Sequence, residues 1–425
     1  MSTTPETTTT TPLRSTSEFA ALFPGGPYPG PRLTEIATEP PIRVRVRRGV
    51  DQVTVEAEGA LRLRGDVGRA YRYAAPLTLR RDAGAWVIRD PAGRGVRWPV
   101  GTLRLTAEGG GPMTLGENTY PATLALTPRS GGTGGDGVET GTFDVVNHVP
   151  LETYLPGVIE RELYGGWPLE TFKAQAVAAR SYALWERTIA PSRHYDLEST
   201  TASQVYGGKA TDTRALRAVA ETRGQALAFR GRVVPAFFSS SAGGRGQDAT
   251  LAFPNRVEEL APLRAREHGS WDRQSPTYRW GPVERPTATL SRRIAGWGQR
   301  RSHPVAGLGT LARVEVAGRN RVGRPAVYRL TDTAGRTFRI DAESFRNACN
   351  HTADGTIPLE KPTRLLSSDV DIAVSGAAVR FTGGRGHGHG VGLSQWGAMA
   401  MARAGHGYTA ILDFYYPGAR LARLY

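Results

Sequence analysis

Two glutamates, Glu160 and Glu162, close the stretch PLETYLPGVIEREL just before a YGGW turn. At the C-terminal end of a helix a carboxylate faces the negative pole of the dipole, and here it also has a like charge two residues away. Both effects favour the protonated form, which is the state a general acid needs, but the pair reads equally as a solvated helix end. A second concentration of reactive types lies in GRGHGHGVGLSQWGAMAMARAG, Gly384 to Gly405, where His387 and His389 alternate with glycine. Zinc requires three or four convergent ligands, and two histidines on a glycine loop supply no third, so no metal is assigned. The spacing also misses the dinucleotide fingerprint. Alternating glycine instead permits an unusual backbone path and close approach of another group. Lys173 and Arg180 share one face of a second helix and can equally pair with neighbouring glutamates.

These residues need elements to carry them. Pro150 and Pro168 suit helix starts, and the apolar spacing of Leu151, Tyr154, Leu155, Val158 and Ile159 is helical. Pro156 falls inside that pattern and predicts a kink or a restart. The Ala-rich PLETFKAQAVAARSYALWERT gives the partner helix. Upstream, IRVRVRR, VTVEAEG, LRLRG, AWVIRD and TLRLTAEG alternate apolar with polar residues and predict short antiparallel strands. GQALAFRGRVVPAFFSSSAGG reads as a hairpin centred on Arg230-Gly231, and PRSGGTGGDGVETG as a loop from Pro128 to Gly141. Helices are expected from Ser394 to Ala404 and from Thr409 to about Tyr415. The fold class is therefore α+β. An antiparallel β-rich N-terminal part (39–142) follows a Thr- and Pro-rich head expected to be disordered (1–38). The core (143–425) is mixed α/β with a helix pair, built from 143–254 and 365–425 around a β-rich insertion, 255–364.

Composition limits the function classes. The 425 residues carry 54 Lys plus Arg against 39 Asp plus Glu, a net charge of +15 that favours anionic partners. No nucleic-acid module or aromatic platform accompanies the charge, so no nucleic acid is assigned as partner. One cysteine, Cys349, excludes an internal disulfide and a Cys-rich metal site. No run approaches the ~20 apolar residues of a transmembrane helix, and the opening MSTTPETTTTTPLRSTSEF lacks the charged and apolar regions of a signal peptide.

The segment VNHVPLETYLPGVIERELYGGWPLETFKAQAVAARSYAL resembles the core of the stage II sporulation protein D and amidase enhancer family. SQVYGGKAT, GRVVPAFFSSSAGG, GRGHGHGVGLSQWGAMAMA and ILDFYYPG agree with it in order, over roughly 143 to 425. The resemblance implies action on bacterial peptidoglycan glycan strands, hence the cell envelope, by a lytic transglycosylase. The family's catalytic Glu maps onto Glu162. Lys173, Gln175, Arg180, Tyr206, Ser239, Ser240, His387, His389, Ser394 and Gln395 are the implied glycan-groove residues, with Trp396 either stacking on a sugar or packing in the core. Sporulation members carry a Cys/His zinc site after the second helix; here HYDLESTTASQVYGG has only His194. No cofactor is expected. The flanks of the acid also depart from the family's small-Glu-Met-Pro, reading Arg161-Glu162-Leu163-Tyr164. The alternative implied by the family is a non-catalytic glycan binder that stimulates a separate cell-wall amidase.

Overall fold

The protein was analysed as a computed structural model that describes residues 30–82, 84–99, 101–129, 141–254, 256–360 and 363–425. The alternating upstream segments form two antiparallel sheets. The larger runs Leu197–Glu198, Pro41–Val50, Phe143–Pro150, Thr123–Pro128, Leu103–Ala107, Ala60–Arg64, Tyr71–Ala74, and only the first pairing in it is parallel. A six-stranded sheet from Asn118–Tyr120 to Gly95–Trp98 faces it. Alternation places Val53, Val55, Leu61, Leu63, Leu77 and Leu79 inside, at 8% exposure or less, and Trp86 packs edge-on against Phe143 between the sheets. Residues 1–29 of the expected head, and almost all of the loop from Pro128 to Gly141, lie outside the described residues. The described part of the head is docked: Leu33 donates its N–H to Gly231, and Ile36 is buried in the main core.

Strand Phe143–Pro150 is buried along most of its length, being central in its sheet, and it feeds directly into α1 (Leu151–Glu162). That helix runs through Pro156 without restarting, with Pro150 as its N-cap. α2 (Leu169–Ile189) follows, capped by Pro168 and buried over fifteen of its 21 residues, so the Ala-rich face serves close packing. α3 (Thr213–Glu221) is capped by Asp212, whose side chain accepts from the N–H groups of Arg214 and Ala215. The hairpin Gln225–Phe229 to Arg232–Val233 turns on Arg230 (φ 49°) and Gly231 (φ 75°), the two positive values a two-residue turn of this hand requires.

After the short α4 (Ala249–Ala252), the insertion builds its own core from α5 (Thr287–Arg301), α6 (Ala342–Cys349) and two three-stranded antiparallel sheets. Its buried cluster extends from Val283 to Phe381, beyond the expected end at 364, because Leu365, Val370, Val379 and Phe381 complete it. Cys349 lies wholly within this cluster, where burial pushes its thiol up to about 12. The chain then returns to the first core through the Gly-His run, α7 (Gln395–Arg403), α8 (Tyr408–Tyr415) and strand Arg420–Arg423, which pairs with Gln225–Phe229. The α+β class with its β-rich content is as the sequence indicates.

Candidate active site

Glu162 is the last residue of α1, and half-buried. Oε1 accepts a hydrogen bond from the backbone N–H of Val205 at 3.1 Å, and Oε2 accepts one from Nε2 of Gln395 at 3.1 Å. Burial raises its pKa, and the two donated hydrogen bonds offset part of that rise. The cause differs from the expected one. Glu160 does not press on Glu162 but turns to Thr211, accepting from its N–H and its hydroxyl at 2.9 Å each.

Val205 is delivered by a loop laid on α1. Gly207 donates its N–H to Gly157 O at 3.1 Å, and a Cβ on Gly157 would stand 2.0 Å from Gly208 O. Only a residue without a side chain lets helix and loop meet that closely. Gln395 is delivered by the start of α7. Ser394 is its N-cap, accepting from Gly397 N–H at 3.4 Å while donating to Asp272 Oδ2 at 3.3 Å. The same carboxylate oxygen accepts from the Ser241 hydroxyl (2.9 Å) and the Gly243 N–H (2.8 Å). Buried Asp272 thus ties the Ser-rich turn to the start of α7, and its role has no motif in the sequence.

The Gly-His run answers to its glycines. Gly386, Gly388, Gly390 and Gly392 all have positive φ, and a Cβ on Gly390 would stand 2.0 Å from Arg324 Nη1. His387 exchanges backbone hydrogen bonds with Ser241, and its side chain is exposed. Ser239 Oγ accepts from Gly390 N–H (3.3 Å), and Ser240 O from Trp396 N–H (3.1 Å). His389 Nδ1 accepts from Val391 N–H (3.0 Å), and burial brings its pKa down to about 4, so the ring is neutral near pH 7. It borders a cavity of about 70 Å³ with Thr201, Ser203, Phe238 and Arg256, formed by the loop that also presents Val205.

Four implied groove residues do other work. Arg180 is fully buried and forks onto Glu152 (2.8 and 2.7 Å), with a further bond to Gln225 O. Tyr206 is in the core and donates to Asn147 Oδ1 at 2.9 Å. Gln175 is fully buried, and Lys173 pairs with Glu170 (2.8 Å) and Glu221 (2.6 Å). The face of α2 that carries Gln175 and Arg180 points into the protein. Ser394 is likewise fully buried, as a cap, and Gln395 contacts the acid itself.

Sequence reasoning missed the aromatic group beside the acid. Tyr164 is 63% exposed, and its ring lies 5.3 Å from Trp167 and 5.8 Å from Trp396, which are 5.1 Å apart. The YGGW turn held the signal, two aromatics around a glycine pair directly after Glu162. Trp396 joins this group and also rests against the main core.

The residues in the zinc stretch do not fit a metal. His194 Nε2 meets Asp144 Oδ2 at 3.0 Å, and that oxygen also accepts from Arg45. Cys349 belongs to the other core. Among the described residues no three His, Cys, Asp or Glu side chains converge as a metal site.

With this geometry in place, the comparisons with known proteins are specific. Residues 139–229, spanning α1, the acid, α2 and α3, match the family model described as stage II sporulation protein. The amidase enhancer of Bacillus subtilis (strain 168) is 30% identical over 297 residues, 63% of this chain. The chain spans 40% of that relative's length. Stage II sporulation protein D of Bacillus amyloliquefaciens is 25% identical over 293 residues, 65% of this chain and 75% of the relative. The family match and these relatives support the resemblance to the stage II sporulation protein D and amidase enhancer family that the motifs carry.

Proposed function

We propose that the protein acts in the bacterial cell wall and cleaves peptidoglycan glycan strands as a lytic transglycosylase, with Glu162 as its single acid and base. The observation that carries this reading is one half-buried carboxyl with a raised pKa, held by two donors. Most glycosidases use two carboxyl groups roughly 5–9.5 Å apart. Here Glu160 is engaged by Thr211, and Glu186 is held by Tyr182 and Arg256. A transglycosylase needs only one. Protonated Glu162 gives its proton to the glycosidic oxygen as the bond to C1 breaks. The primary hydroxyl of the same muramic sugar then closes on C1, and the Glu162 carboxylate takes the hydroxyl proton. Atoms balance without water, and the acid is regenerated. The N–H of Val205 and the amide of Gln395 stabilise the carboxylate that exists between the two transfers.

The test is mass spectrometry of purified glycan strands after incubation. Anhydro-sugar ends from the wild type, absent with Glu162→Gln, are the expected result; Glu162-dependent reducing ends would make it a hydrolase. The name of the amidase enhancer relative favours a second reading, a glycan binder that stimulates a separate amidase. That reading predicts no cleavage and full amidase stimulation by Glu162→Gln. Either activity would be exercised at the cell envelope. No described helix is long and apolar enough to cross a membrane.

A further inference from the structure

We infer that Tyr164, Trp167 and Trp396 form a sugar-stacking platform, and that the neutral pyranose ring docked on it positions the scissile bond at Glu162. This inference rests on the glycan reading of the same site. Tyr164 is two residues beyond the acid, Trp167 five, and Trp396 follows the glutamine that touches the acid, so the three clustered aromatics come from the segments that carry the carboxyl and its partner. Trp167 and Trp396 are anchored, the first 5% exposed and the second resting on the main core. Tyr164 is the outer member, with most of its surface in solvent. A large ring left in water beside a catalytic group is the arrangement that a sugar face covers: its C–H groups meet the π-face while its hydroxyls stay hydrated. Rings 5.1–5.8 Å apart, inclined by 52–69°, give a stepped surface rather than one plane.

The occupant follows from the chemistry of the rim. Tyr164, Trp167 and Trp396 carry no charge, so attraction at these rings depends on apolar contact and ring shape. The surplus of basic residues elsewhere is not what selects this ligand. Binding at the platform is therefore weakly dependent on salt, unlike charge-driven association.

The experiment measures affinity for soluble peptidoglycan glycan strands by calorimetry in the Glu162→Gln background, which cannot cleave them. Tyr164→Ala is expected to weaken binding about tenfold, the scale of one lost aromatic contact. Tyr164→Phe, which keeps the ring, should bind as the parent does, and raising salt from 50 to 500 mM should change affinity less than about threefold. Unchanged affinity in Tyr164→Ala, no binding by the parent, or a steep loss with salt would each overturn the platform. Failure of the cleavage reading looks different. In that case the parent chain with Glu162 intact releases no anhydro ends, yet Tyr164→Ala still loses affinity. If cleavage proceeds and Tyr164→Ala leaves both KM and affinity unmoved, only the platform falls.

Discussion

Burial penalises the charged form of Glu162 in the folded protein, which has a measurable cost. Its folded pKa lies above the ordinary 4.5, so between the two the folded chain binds more protons than the unfolded one. Stability contributed by this group then falls as pH rises through that window. Glu162→Gln removes the cost, and its melting temperature should exceed that of the wild type at pH 7, with the gap closing below about pH 4. Gln395→Leu tests the other side of the balance. It removes a donor to the carboxylate, so the pKa of Glu162 rises further. The alkaline limb of the cleavage profile should move up in pH, while the rate at the optimum falls. The sequence puts both Glu160 and Glu162 at a helix end before YGGW, and only the family resemblance singles out Glu162 as the proposed acid. The cause of its shift was not, because burial of that carboxyl depends on a loop and a glutamine that arrive from distant segments.

At the level of elements, the helix pair and the Gly-His run differ in how they are specified. α1 and α2 follow from local signals, apolar spacing and prolines at the starts, and the expected boundaries of α7 and α8 hold within a residue or so. The faces of α2 were not legible: Arg180 and Gln175 are polar, yet both point inward, the guanidinium received by Glu152 and neighbouring backbone and the Gln175 amide without a hydrogen-bond partner among the described residues. The run is specified by what it touches. Gly390→Ala places a methyl group on Arg324 and forces positive φ on a residue with a side chain. The expected loss is about 2–4 kcal/mol in urea unfolding, from backbone strain plus a displaced buried guanidinium. Gly376→Ala has an open position at its own positive φ, so it should cost only the strain, about 1 kcal/mol, and leave cleavage unchanged.

Across the whole molecule, two hydrophobic cores are joined largely by polar contacts. Arg324 of the insertion is fully buried and donates to Arg245 O and, at 3.5 Å, to Gly388 O in the Gly-His run. Arg245 forks onto Asp369 at 2.8 and 2.6 Å. Two imidazoles near this seam are held neutral: burial brings His268 down to about 3 and His389 to about 4, against an ordinary 6.5. The unfolded chain takes up those protons first, so stability is lost as pH falls from 6.5 toward 4. Denaturation midpoints at pH 6.5 and 4.5 should differ accordingly, by up to about 1.4 kcal/mol per pH unit for each imidazole, and His389→Asn should remove its share of the slope. One hydrogen bond described above also bears on time. Glu162 and Gln395 are 233 positions apart in the chain, so at about 5–20 residues per second the ribosome makes the glutamine roughly 10–50 s after the acid. During that interval the helix pair displays a carboxyl without the amide that completes its surroundings. In the nascent chain the proposed site therefore stays incomplete until the returning segment docks.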